Sequence, residues 1–498
     1  MLIGLDLGTT GLKAAAYEPD SGRCLAEAAC RLPIQTEGEE GTREQNPDML
    51  LGALAAVCAE LRQKTGARWA RVAGLGLAAQ GGSTLIVQRG DGRPLTPIYL
   101  WNDYRCFAHY LRVRGQQPAA FWSAFSLRDD PGVGLGRVLW LRERQPDLFG
   151  AQNLYVGVGE YVFHQLTGAW RQEACHALQS GCYDARADQL TATPLELVGL
   201  PVDFFAPLRR GHATAPLTAA AAARLGLPAG LPVAGPYNDH EAGYLSVAHV
   251  SQRPLECSLG TAWVGNFVLA GDFGRGSGYQ LPIPAPVGTG RLLIQPLLTG
   301  NVTWDWALAQ FVHADLREAL RRQADLFKER LLPPAGLMFL PWVNRPSQLG
   351  GGAGSGVLYG VSPATVPADM LRAVAAGMCL EFDRMFAPLR AAGALDSLVL
   401  CGGASRGRAF QQLLAVLFAP LPLHLITEAD GMGTRGCLYP FSPAACRMPM
   451  EPLHADAGPD RAQLDGLRRL YAELFRRLYA GDALDSAFIP AGAGGKAP

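Results

Sequence analysis

The 498-residue sequence lacks several features that assign a chain to a partner class. Its formal net charge is zero, with 44 Lys and Arg against 44 Asp and Glu, so no charge excess attracts nucleic acid or an anionic membrane. No uninterrupted apolar run reaches the roughly 18 residues of a membrane span, and no basic N-terminal segment indicates a secretory signal. These absences predict a chain whose main partner is neither nucleic acid nor a membrane.

Two further kinds of signature are missing. The 11 cysteines include no C-x-x-C pair, which argues against a zinc site or a thioredoxin-like redox pair. Their odd number and scattered positions are typical of reduced thiols, so we expect a cytoplasmic location. The glycine turn at 402–405, which follows a predicted strand, lacks G-x-G-x-x-G, and the sequence has no G-x-x-x-x-G-K-[ST], so neither the dinucleotide fingerprint at that turn nor the Walker loop is available.

The apolar pattern predicts strands that alternate with helices. Asn46 followed by Pro47 is typical of a helix start, and that helix is expected to run to about Lys64. Further helices are expected at 370–390 and 409–419, and strands at 2–7, 12–17, 71–79, 398–401 and 423–426. Such alternation indicates an α/β fold.

A strand–turn–strand pattern occurs twice. Residues 2–17 contain the turn at Gly8, and residues 254–268 contain a similar Leu-Gly-Thr turn at Gly260, about half the chain further on. Two copies of one structural unit are the simplest interpretation. Because the matching stretch is short, duplication stays a hypothesis at this point.

The segment LDLGTTGLK, residues 5–13, places Gly8, Thr9 and Thr10 directly after a predicted strand. Backbone N–H groups and threonine hydroxyls in such a turn can hold a phosphate. Asp6 would repel that phosphate unless a cation lies between them, which indicates Mg²⁺. The alternative is an ordinary hairpin with a surface aspartate.

Two more glycine turns have the same character. Gly260 and Thr261 form the turn of the second strand–turn–strand pattern. Gly402, Gly403 and Ala404 lie between a predicted strand and a predicted helix, where small residues let a phosphate or a flat ring approach the backbone. Each turn alone is also compatible with a plain connection.

Polar side chains follow the strand-like segment PVAG. Asn238, Asp239, His240 and Glu241 come next in the chain, and such a group fits acid/base chemistry. The alternative is a helix N-terminus capped by Asn238 or Asp239. No second histidine stands at metal-ligand spacing, so His240 is interpreted as a neighbour rather than a catalyst.

The segment LWNDYR, residues 100–105, has the composition of a sugar contact. Trp101 can pack on the apolar face of a sugar, while Asp103 and Arg105 can bind hydroxyls or each other. A structural tryptophan beside a surface ion pair is the alternative.

Five segments, in order and spacing, resemble those of the FGGY carbohydrate kinases: LDLGTTGLK, AAQGGSTLIVQRGDGRPLTPIYLWNDYR, GPYNDHEAGYLSV, SLGTAW and LVLCGGASRGRAFQQLLA. The resemblance covers about residues 1–480. It implies an α/β fold of two ribonuclease-H-like domains of the actin-like ATPase type, with a ligand cleft between them. It also implies a kinase that phosphorylates a sugar or polyol hydroxyl with ATP and Mg²⁺.

The resemblance also implies a role for each matching position. Asp239 is the expected general base, and Asp6 is the expected Mg²⁺ residue. Expected substrate contacts are Gln80, Gly81, Gly82, Trp101, Asp103, Arg105, Asn238 and Asp239. Expected ATP contacts are Thr9, Thr10, Gly260, Thr261, Gly402, Gly403, Ala404 and Gln411.

The same resemblance implies an organisation and a substrate. Residues 1–247 would form the sugar-binding domain, residues 248–485 the nucleotide-binding domain and residues 486–498 a flexible tail. The motif WNDYRC is most similar to xylulose kinases, so a ketopentose such as xylulose is the expected acceptor. Ribulose, a hexulose and a glycerol-like polyol remain alternatives, and the resemblance allows a homodimer.

Some positions depart from the family pattern. Gly81 and Gly82 replace larger sugar-contacting side chains, which predicts a wider pocket. Arg435 replaces a small residue and is expected either to change nucleotide contacts or to point to solvent. These departures leave open a catalytically weak sugar- and nucleotide-binding homologue. An actin- or chaperone-like ATPase is a more distant alternative, because no segment is left for a separate peptide-binding domain.

Overall fold

A computed structural model describes residues 1–270, 280–297, 300–312, 318, 325–343, 356–428, 431–455 and 461–479. These residues form two compact α/β units. Unit 1 comprises the described residues of Met1–His249, Val268–Ile294 and Asp430–Met448, and unit 2 those of Val250–Phe267, Gln295–Ala429 and Pro449–Pro498. The predicted tail, 486–498, lies outside the described residues. The predicted boundary at residue 247 stays a prediction.

Strands and helices alternate along the described chain, as the sequence predicts. The strands are β1 Leu2–Leu7, β2 Gly11–Tyr17, β3 Cys24–Arg31, β4 Glu44–Gln45, β5 Gly74–Ala79, β6 Thr84–Gln88, β7 Ile98–Tyr99, β8 Asn153–Gly157, β9 Tyr183–Asp184, β10 Gln189–Leu190, β11 Ala215–Pro216, β12 Pro232–Asn238, β13 Pro254–Leu259, β14 Trp263–Leu269, β15 Leu281–Pro284, β16 Arg291–Pro296, β17 Met338–Leu340, β18 Val357–Tyr359, β19 Ser397–Cys401, β20 Leu423–Ile426 and β21 Met450–Leu453.

The α-helices that are described are α1 Pro47–Thr65, α2 Phe107–Gly115, α3 Ala119–Ser126, α4 Val133–Arg144, α5 Val158–Thr167, α6 Ala174–Gln179, α7 Ala219–Leu225, α8 Asp239–Val247, α9 Asn301–Phe311, α10 Pro367–Ala391, α11 Arg408–Phe418, α12 Met432–Gly436, α13 Pro443–Cys446 and α14 Arg461–Tyr479. Short 3₁₀ helices occupy Gly66–Arg71, Pro146–Phe149, Leu195–Val198, Val202–Phe204 and Gly403–Arg406. Among the residues described, no helix combines the length and apolar character that a membrane crossing requires.

The main sheet of unit 1 has six strands in the order β11–β12–β5–β1–β2–β3. Strands β12, β5 and β1 run parallel, and their last residues are in register, with Leu7 opposite Ala79 and Ala79 opposite Asn238. The residues that follow these three strands therefore leave the sheet at the same edge. Segments that are far apart in the sequence thereby become neighbours.

Helix α1 covers one face of this sheet because its sequence suits both its ends and its buried side. The Asn46 side chain accepts hydrogen bonds from two backbone amides of the first turn, and the helix ends at Thr65 before Gly66, close to the predicted end at Lys64. Leu50, Leu54 and Leu61 recur at helical spacing and are at most 2% exposed. Burying each leucine stabilises the unit by about 2 kcal/mol.

Helix α12 lies on β1 and β5 so closely that only glycine fits at the contact. A Cβ atom at Gly4 would lie 1.7 Å from the Thr434 carbonyl oxygen, and one at Gly76 would lie 2.4 Å from the Cys437 carbonyl oxygen. No side chain can be accommodated at these distances. The short helix is thereby fixed against the strand that carries Asp6.

Arg435 in this helix is buried, so the expectation that it points to solvent is wrong, while an effect on nucleotide contacts stays a prediction. Its side chain is 1% exposed and donates hydrogen bonds to the carbonyl oxygens of Gly22, Ala445 and Arg447, at 2.8, 3.2 and 3.2 Å. The guanidinium also lies 4.4 Å from the centre of the Tyr17 ring. A buried cation of this kind satisfies backbone acceptors and does not point to solvent.

A second sheet of unit 1, in the order β4–β7–β6–β8, leads into the segment that contains Trp101. Helices α2, α3 and α4 pack around an apolar cluster that includes Trp122, Trp140 and Tyr155, each at most 3% exposed. Helix α4 lies beside the segment that leads to Trp101, because its Arg137 donates to the Leu100 carbonyl oxygen. This part of the unit therefore positions the predicted sugar contacts.

In unit 2 the large sheet has the local order β14–β13–β19–β20–β21. Strand β14 is antiparallel to β13, and β19 is parallel to it, with Ser258 opposite Cys401. Unit 1 has the same arrangement, because β2 is antiparallel and β5 parallel to β1. The shared arrangement supports the two-copy interpretation of the sequence.

Candidate active site

The edge of the unit 1 sheet carries a hydrogen-bonded group of predicted site residues. The Thr9 hydroxyl donates to the Gln80 side-chain oxygen at 2.8 Å and accepts from the Trp101 indole N–H at 3.0 Å. The Gln45 amide donates to the Thr9 carbonyl oxygen at 2.8 Å. Trp101 remains 40% exposed, so one part of the indole is open to a ligand. Thr9 is thus held on the side of the predicted sugar contacts.

The glycine turn between β1 and β2 is closed by a hydrogen bond from the Gly8 amide to the Gly11 carbonyl oxygen, at 3.0 Å. Thr10 is exposed at the tip of the turn, and Asp6 is half-buried at the end of β1. A Cβ atom at Gly433 would lie 2.4 to 2.8 Å from the three terminal atoms of the Asp6 carboxyl group. Helix α12 therefore restricts where that carboxylate can lie.

Asn238 and Asp239 occupy the start of α8, directly after β12. The Asn238 side-chain oxygen accepts from the His240 amide at 3.0 Å, and the Asp239 carboxylate accepts from the same amide at 3.0 Å. Asn238 is the helix cap, as the alternative interpretation predicts. Asp239 is half-buried and follows β12 at the same sheet edge as Gln80.

The glycine pair at 81 and 82 does not leave open room beside it. A Cβ atom at Gly81 would lie 2.7 Å from the Asn238 side-chain nitrogen and 3.0 Å from the Gln179 side-chain oxygen. Gly82 has a φ of +72°, and a Cβ atom there would lie 3.1 Å from the Trp101 Cβ. The predicted wider pocket is therefore wrong at this point, because neighbouring side chains fill the space.

Asp103 and Arg105 bind each other. The Arg105 guanidinium contacts Asp103 at 2.6 Å and Glu44 at 2.5 Å, and Asp103 is 1% exposed. The Asp103 carboxylate also accepts from the Arg43 amide at 3.1 Å. This pairing is one of the two outcomes that the sequence left open, and it shapes the turn after Trp101.

A buried group of titratable side chains lies on α5 and α8 and at the start of α6, which Glu173 caps. Burial and the neighbouring Glu241 raise the pKa of Glu173 to about 8. Burial lowers the pKa of His176 to about 3, and burial together with Glu173 raises the pKa of Glu160. The Arg209 guanidinium forms an ion pair with Glu241 at 2.6 Å. We expect Glu173 and His176 to be uncharged at neutral pH.

Several residues of this site had no recognisable sequence signal. Arg137, in α4, is 2% exposed and donates to the carbonyl oxygens of Gly82 and Leu100 at 2.8 and 2.7 Å. It thereby ties the glycine pair to the segment before Trp101. Gln179 ends α6 and contacts both glycines. In the sequence, each is a single polar residue within a helical pattern, so nothing distinguished it from a surface residue.

In unit 2 the predicted phosphate turns also leave one sheet edge. Asn301 stabilises the first turn. Its backbone amide donates to the Gly260 carbonyl oxygen at 3.1 Å, and its side-chain oxygen accepts from the Trp263 indole N–H at 3.1 Å. Thr261 is exposed beside Gly260. Sequence reasoning missed Asn301, which precedes no recognised motif.

The second turn of unit 2 begins at Gly402, whose φ is +83°. A Cβ atom at Gly402 would lie 2.8 to 2.9 Å from backbone atoms of Leu259, whereas one at Gly403 would meet only the Asn301 side-chain nitrogen, at 3.6 Å. Ala404 is 9% exposed. The side-chain amide of Gln411, in the following helix α11, donates to the Ser405 carbonyl oxygen at 2.7 Å and so stabilises the turn.

The residues present fit a nucleotide and a magnesium ion. Among the described residues, no group of three or more His, Cys, Asp or Glu side chains could hold a metal ion on its own. Mg²⁺ bound with a triphosphate needs only one or two carboxylates, because phosphate oxygens and water supply the other ligands. Asp6 satisfies that requirement in unit 1. The open backbone at Gly403 and Gly260 suits a phosphate or a ring in unit 2.

The predicted site residues therefore form two groups, one in each unit. Asp6, Thr9, Thr10, Gln80, Gly81, Gly82, Trp101, Asp103, Arg105, Asn238 and Asp239 lie in unit 1. Gly260, Thr261, Gly402, Gly403, Ala404 and Gln411 lie in unit 2. The roles of all these residues, and the cleft expected to join the two groups, stay predictions.

Comparison with known proteins identifies the family. The family model for the N-terminal domain of the FGGY family of carbohydrate kinases matches residues 1–246. A xylulose kinase from Staphylococcus epidermidis is 23% identical over 430 residues, which are 84% of this chain and 83% of the relative. A glycerol kinase from Alkalilimnicola ehrlichii is 25% identical over 453 residues, covering 87% of this chain and 88% of the relative.

A solved structure gives the same result for the fold. The crystal structure of a xylulose kinase from Rhodospirillum rubrum matches with a TM-score of 0.83 at 22% identity, over 96% of this chain and 98% of that one. The likeness confirms the predicted α/β fold with two domains of the actin-like ATPase type. From the family model we conclude that residues 1–246 are an N-terminal domain of the FGGY family of carbohydrate kinases, and the relatives and the fold extend the match to more than four fifths of the chain.

Proposed function

We propose that this kinase transfers the γ-phosphoryl group of ATP, with Mg²⁺, to a hydroxyl group of a ketopentose such as xylulose. The relatives named xylulose kinase and the W-x-D-x-R segment support this acceptor. A glycerol-like polyol is the second candidate, and the relative named glycerol kinase favours it. Ribulose and a hexulose belong to the same class of acceptor.

One observation carries the proposal. The last residues of β1, β5 and β12 are in register, so the turn after Leu7, the segment after Ala79 and Asp239 leave the sheet side by side. A candidate phosphate turn, a candidate sugar contact and a candidate base thus meet at one edge. Phosphoryl transfer needs little beyond such alignment and charge stabilisation, because the protein takes little part in the covalent chemistry.

Asp239 is the general base in this proposal. Its carboxylate accepts the proton of the acceptor hydroxyl as that oxygen attacks, while the His240 amide holds one carboxylate oxygen in place. Trp101, Gln80 and Asn238 orient the acceptor. Asp103 and Arg105 act on the acceptor through the turn that they hold together.

Asp6 is the magnesium residue, and the ion supplies charge neutralisation to the phosphates when it is bound. Helix α12 limits the positions of the carboxylate through its contact at Gly433. In unit 2, Gly260, Thr261, Gly402, Gly403 and Ala404 provide backbone donors and space for the nucleotide, and Gln411 supports their turn. Residues 1–247 and 248–485 act as the sugar and nucleotide domains of this proposal.

The test is ADP release from MgATP with a panel of D-xylulose, D-ribulose, D-fructose and glycerol. We expect Asp239→Asn to lower kcat about 10²- to 10⁴-fold while the Kd for ATP stays within twofold. Asp147→Asn, at an exposed carboxylate in a 3₁₀ helix, is the matched control and should behave like the wild type. Wild-type turnover by Asp239→Asn would remove Asp239 from the role. No ADP release by the wild type with any acceptor would reject the proposed function.

A further inference from the structure

The end of α6 brings an amide side chain against the glycine pair. A Cβ atom at Gly132 would lie 2.8 Å from the backbone carbonyl oxygen of Gln179, and a Cβ atom at Gly134 would lie 2.4 Å from the same oxygen. The start of α4 therefore packs directly on the backbone of residue 179. Neither glycine has room for a side chain, so the end of α6 packs closely against the start of α4.

The side-chain oxygen of Gln179 is buried, and it accepts no hydrogen bond from any residue that the structure describes. A buried acceptor without a donor destabilises the protein, so a donor is expected from outside the described chain. The side chains around this oxygen show where the donor would come from. The Cβ position at Gly82 lies 3.4 Å from the Gln179 oxygen and 3.1 Å from the Trp101 Cβ.

A donor and an acceptor face the same small space at the glycine pair. The Cβ position at Gly81 lies 2.7 Å from the Asn238 side-chain nitrogen, 3.0 Å from the Gln179 oxygen and 3.8 Å from the Cys175 sulfur. Burial raises the pKa of the Cys175 thiol, and the carboxylate of Asp239 contributes to that rise. The orphaned oxygen therefore lies beside the glycine pair, as do the Asn238 side-chain nitrogen and the Cβ atom of Trp101.

We propose that Gln179 is a specificity-determining residue, whose side-chain oxygen accepts a hydrogen bond from a hydroxyl group of the acceptor. The Asn238 amide donates to an oxygen of the same acceptor. The substrate class is a polyol or sugar with at least one hydroxyl group besides the one that is phosphorylated. This inference rests on the proposed function. It assigns to Gln179 the side-chain contact to the acceptor that Gly81 and Gly82, which have no side chains, cannot make.

The test compares wild type with Gln179→Met, which keeps the chain length and removes the acceptor. For the panel acceptor with the highest kcat/KM, we expect the KM of the acceptor to rise about 10- to 100-fold, because a buried polar group loses its partner. The KM for ATP should change less than twofold and the Tm by no more than about 2 °C. Gln165→Met is the matched control, since its half-buried amide bonds to the Gly92 carbonyl oxygen instead.

A second comparison uses monodeoxy analogues of that acceptor. With wild type, one analogue should have a KM that is higher than that of the full acceptor by the same factor. With Gln179→Met, that analogue and the full acceptor should have the same KM. An unchanged acceptor KM in the variant would overturn the inference while leaving the kinase proposal intact. Parallel changes in the Tm and in both KM values would show a structural role and would also overturn it. If Gln179→Met does not fold, Gln179→Asn, which withdraws the oxygen by one methylene, takes its place with the same expectations.

Binding separates this inference from the proposed function. If wild type phosphorylates none of the panel compounds but is stabilised by one in a thermal-shift assay, the proposed function fails. The inference then holds only if Gln179→Met loses that shift. If no panel compound either reacts with or stabilises the wild type, both are overturned.

Discussion

The buried carboxyl group of Glu173 should make this protein less stable as the pH rises above neutral. Burial and Glu241 raise the pKa of Glu173 from 4.5 to about 8. Between these values the folded protein keeps a proton that the unfolded chain has lost, so the free energy of unfolding falls with increasing pH. Each pH unit in this window corresponds to about 1.4 kcal/mol.

The neighbouring His176 restricts the pH range in which the free energy of unfolding falls. Burial lowers the pKa of His176 from 6.5 to about 3, so it binds fewer protons in the folded state across that interval. Its contribution raises stability up to pH 6.5 and opposes that of Glu173. Above pH 6.5 the histidine contribution is complete. The fall caused by Glu173 should therefore be visible from pH 6.5 to 8.

The variant Glu173→Gln removes the ionisable group and keeps a side-chain oxygen for the amides that it caps. Urea unfolding, followed by circular dichroism at pH 6.5 and pH 8, measures the free energy of unfolding for both proteins. The free energy of unfolding of the variant minus that of the wild type should increase by about 2 kcal/mol between pH 6.5 and pH 8. Glu37→Gln, at an exposed side chain, should give a constant difference. A constant difference for Glu173→Gln as well would refute the reasoning.

Two further predictions concern helix α12. Replacing Arg435 by Met leaves three buried carbonyl oxygens without their donor, so the free energy of unfolding should fall by about 3 kcal/mol or more in urea titrations, with both KM values within twofold; a raised KM for ATP at unchanged stability would contradict the structural assignment. Replacing Gly433 by Ala puts a methyl group within 2.8 Å of the Asp6 carboxyl group, so the Mg²⁺ concentration for half-maximal ADP release should rise about 10-fold or more, whereas Gly466→Ala, with open space around it, should leave that concentration unchanged.

Capping residues, glycines and apolar stretches in the sequence predicted the helices and strands well. The cap at Asn46 and the stop at Gly66 bound α1, and the apolar stretch 398–401 lies within β19. The stretch 71–79 was less well predicted, since β5 begins only at Gly74 after a 3₁₀ helix. An apolar pattern identifies a buried segment, but it does not show where backbone pairing begins.

The site was predictable where a motif lies at a strand end and unpredictable where a single polar residue comes from a distant helix. Asp6 and Asp239 stand beside glycines and strand ends, so their surroundings were visible in the sequence. Arg137 and Gln179 reach the same region from α4 and α6, and only the packing of those helices reveals it. The error at Gly81 has the same cause, because the space that a missing side chain leaves depends on what packs into it.

The glycine-only contact between α12 and the first strands has a consequence for biosynthesis. Gly4 leaves the ribosome well before Thr434, which covers it, because about 430 residues separate the two positions in the sequence. Roughly 180 residues separate His249 from the segment that completes unit 1. At about 5 to 20 residues per second, their synthesis takes roughly 10 to 40 s. During that time one face of the N-terminal sheet lacks its cover, and a fragment that stops near residue 249 would never acquire it.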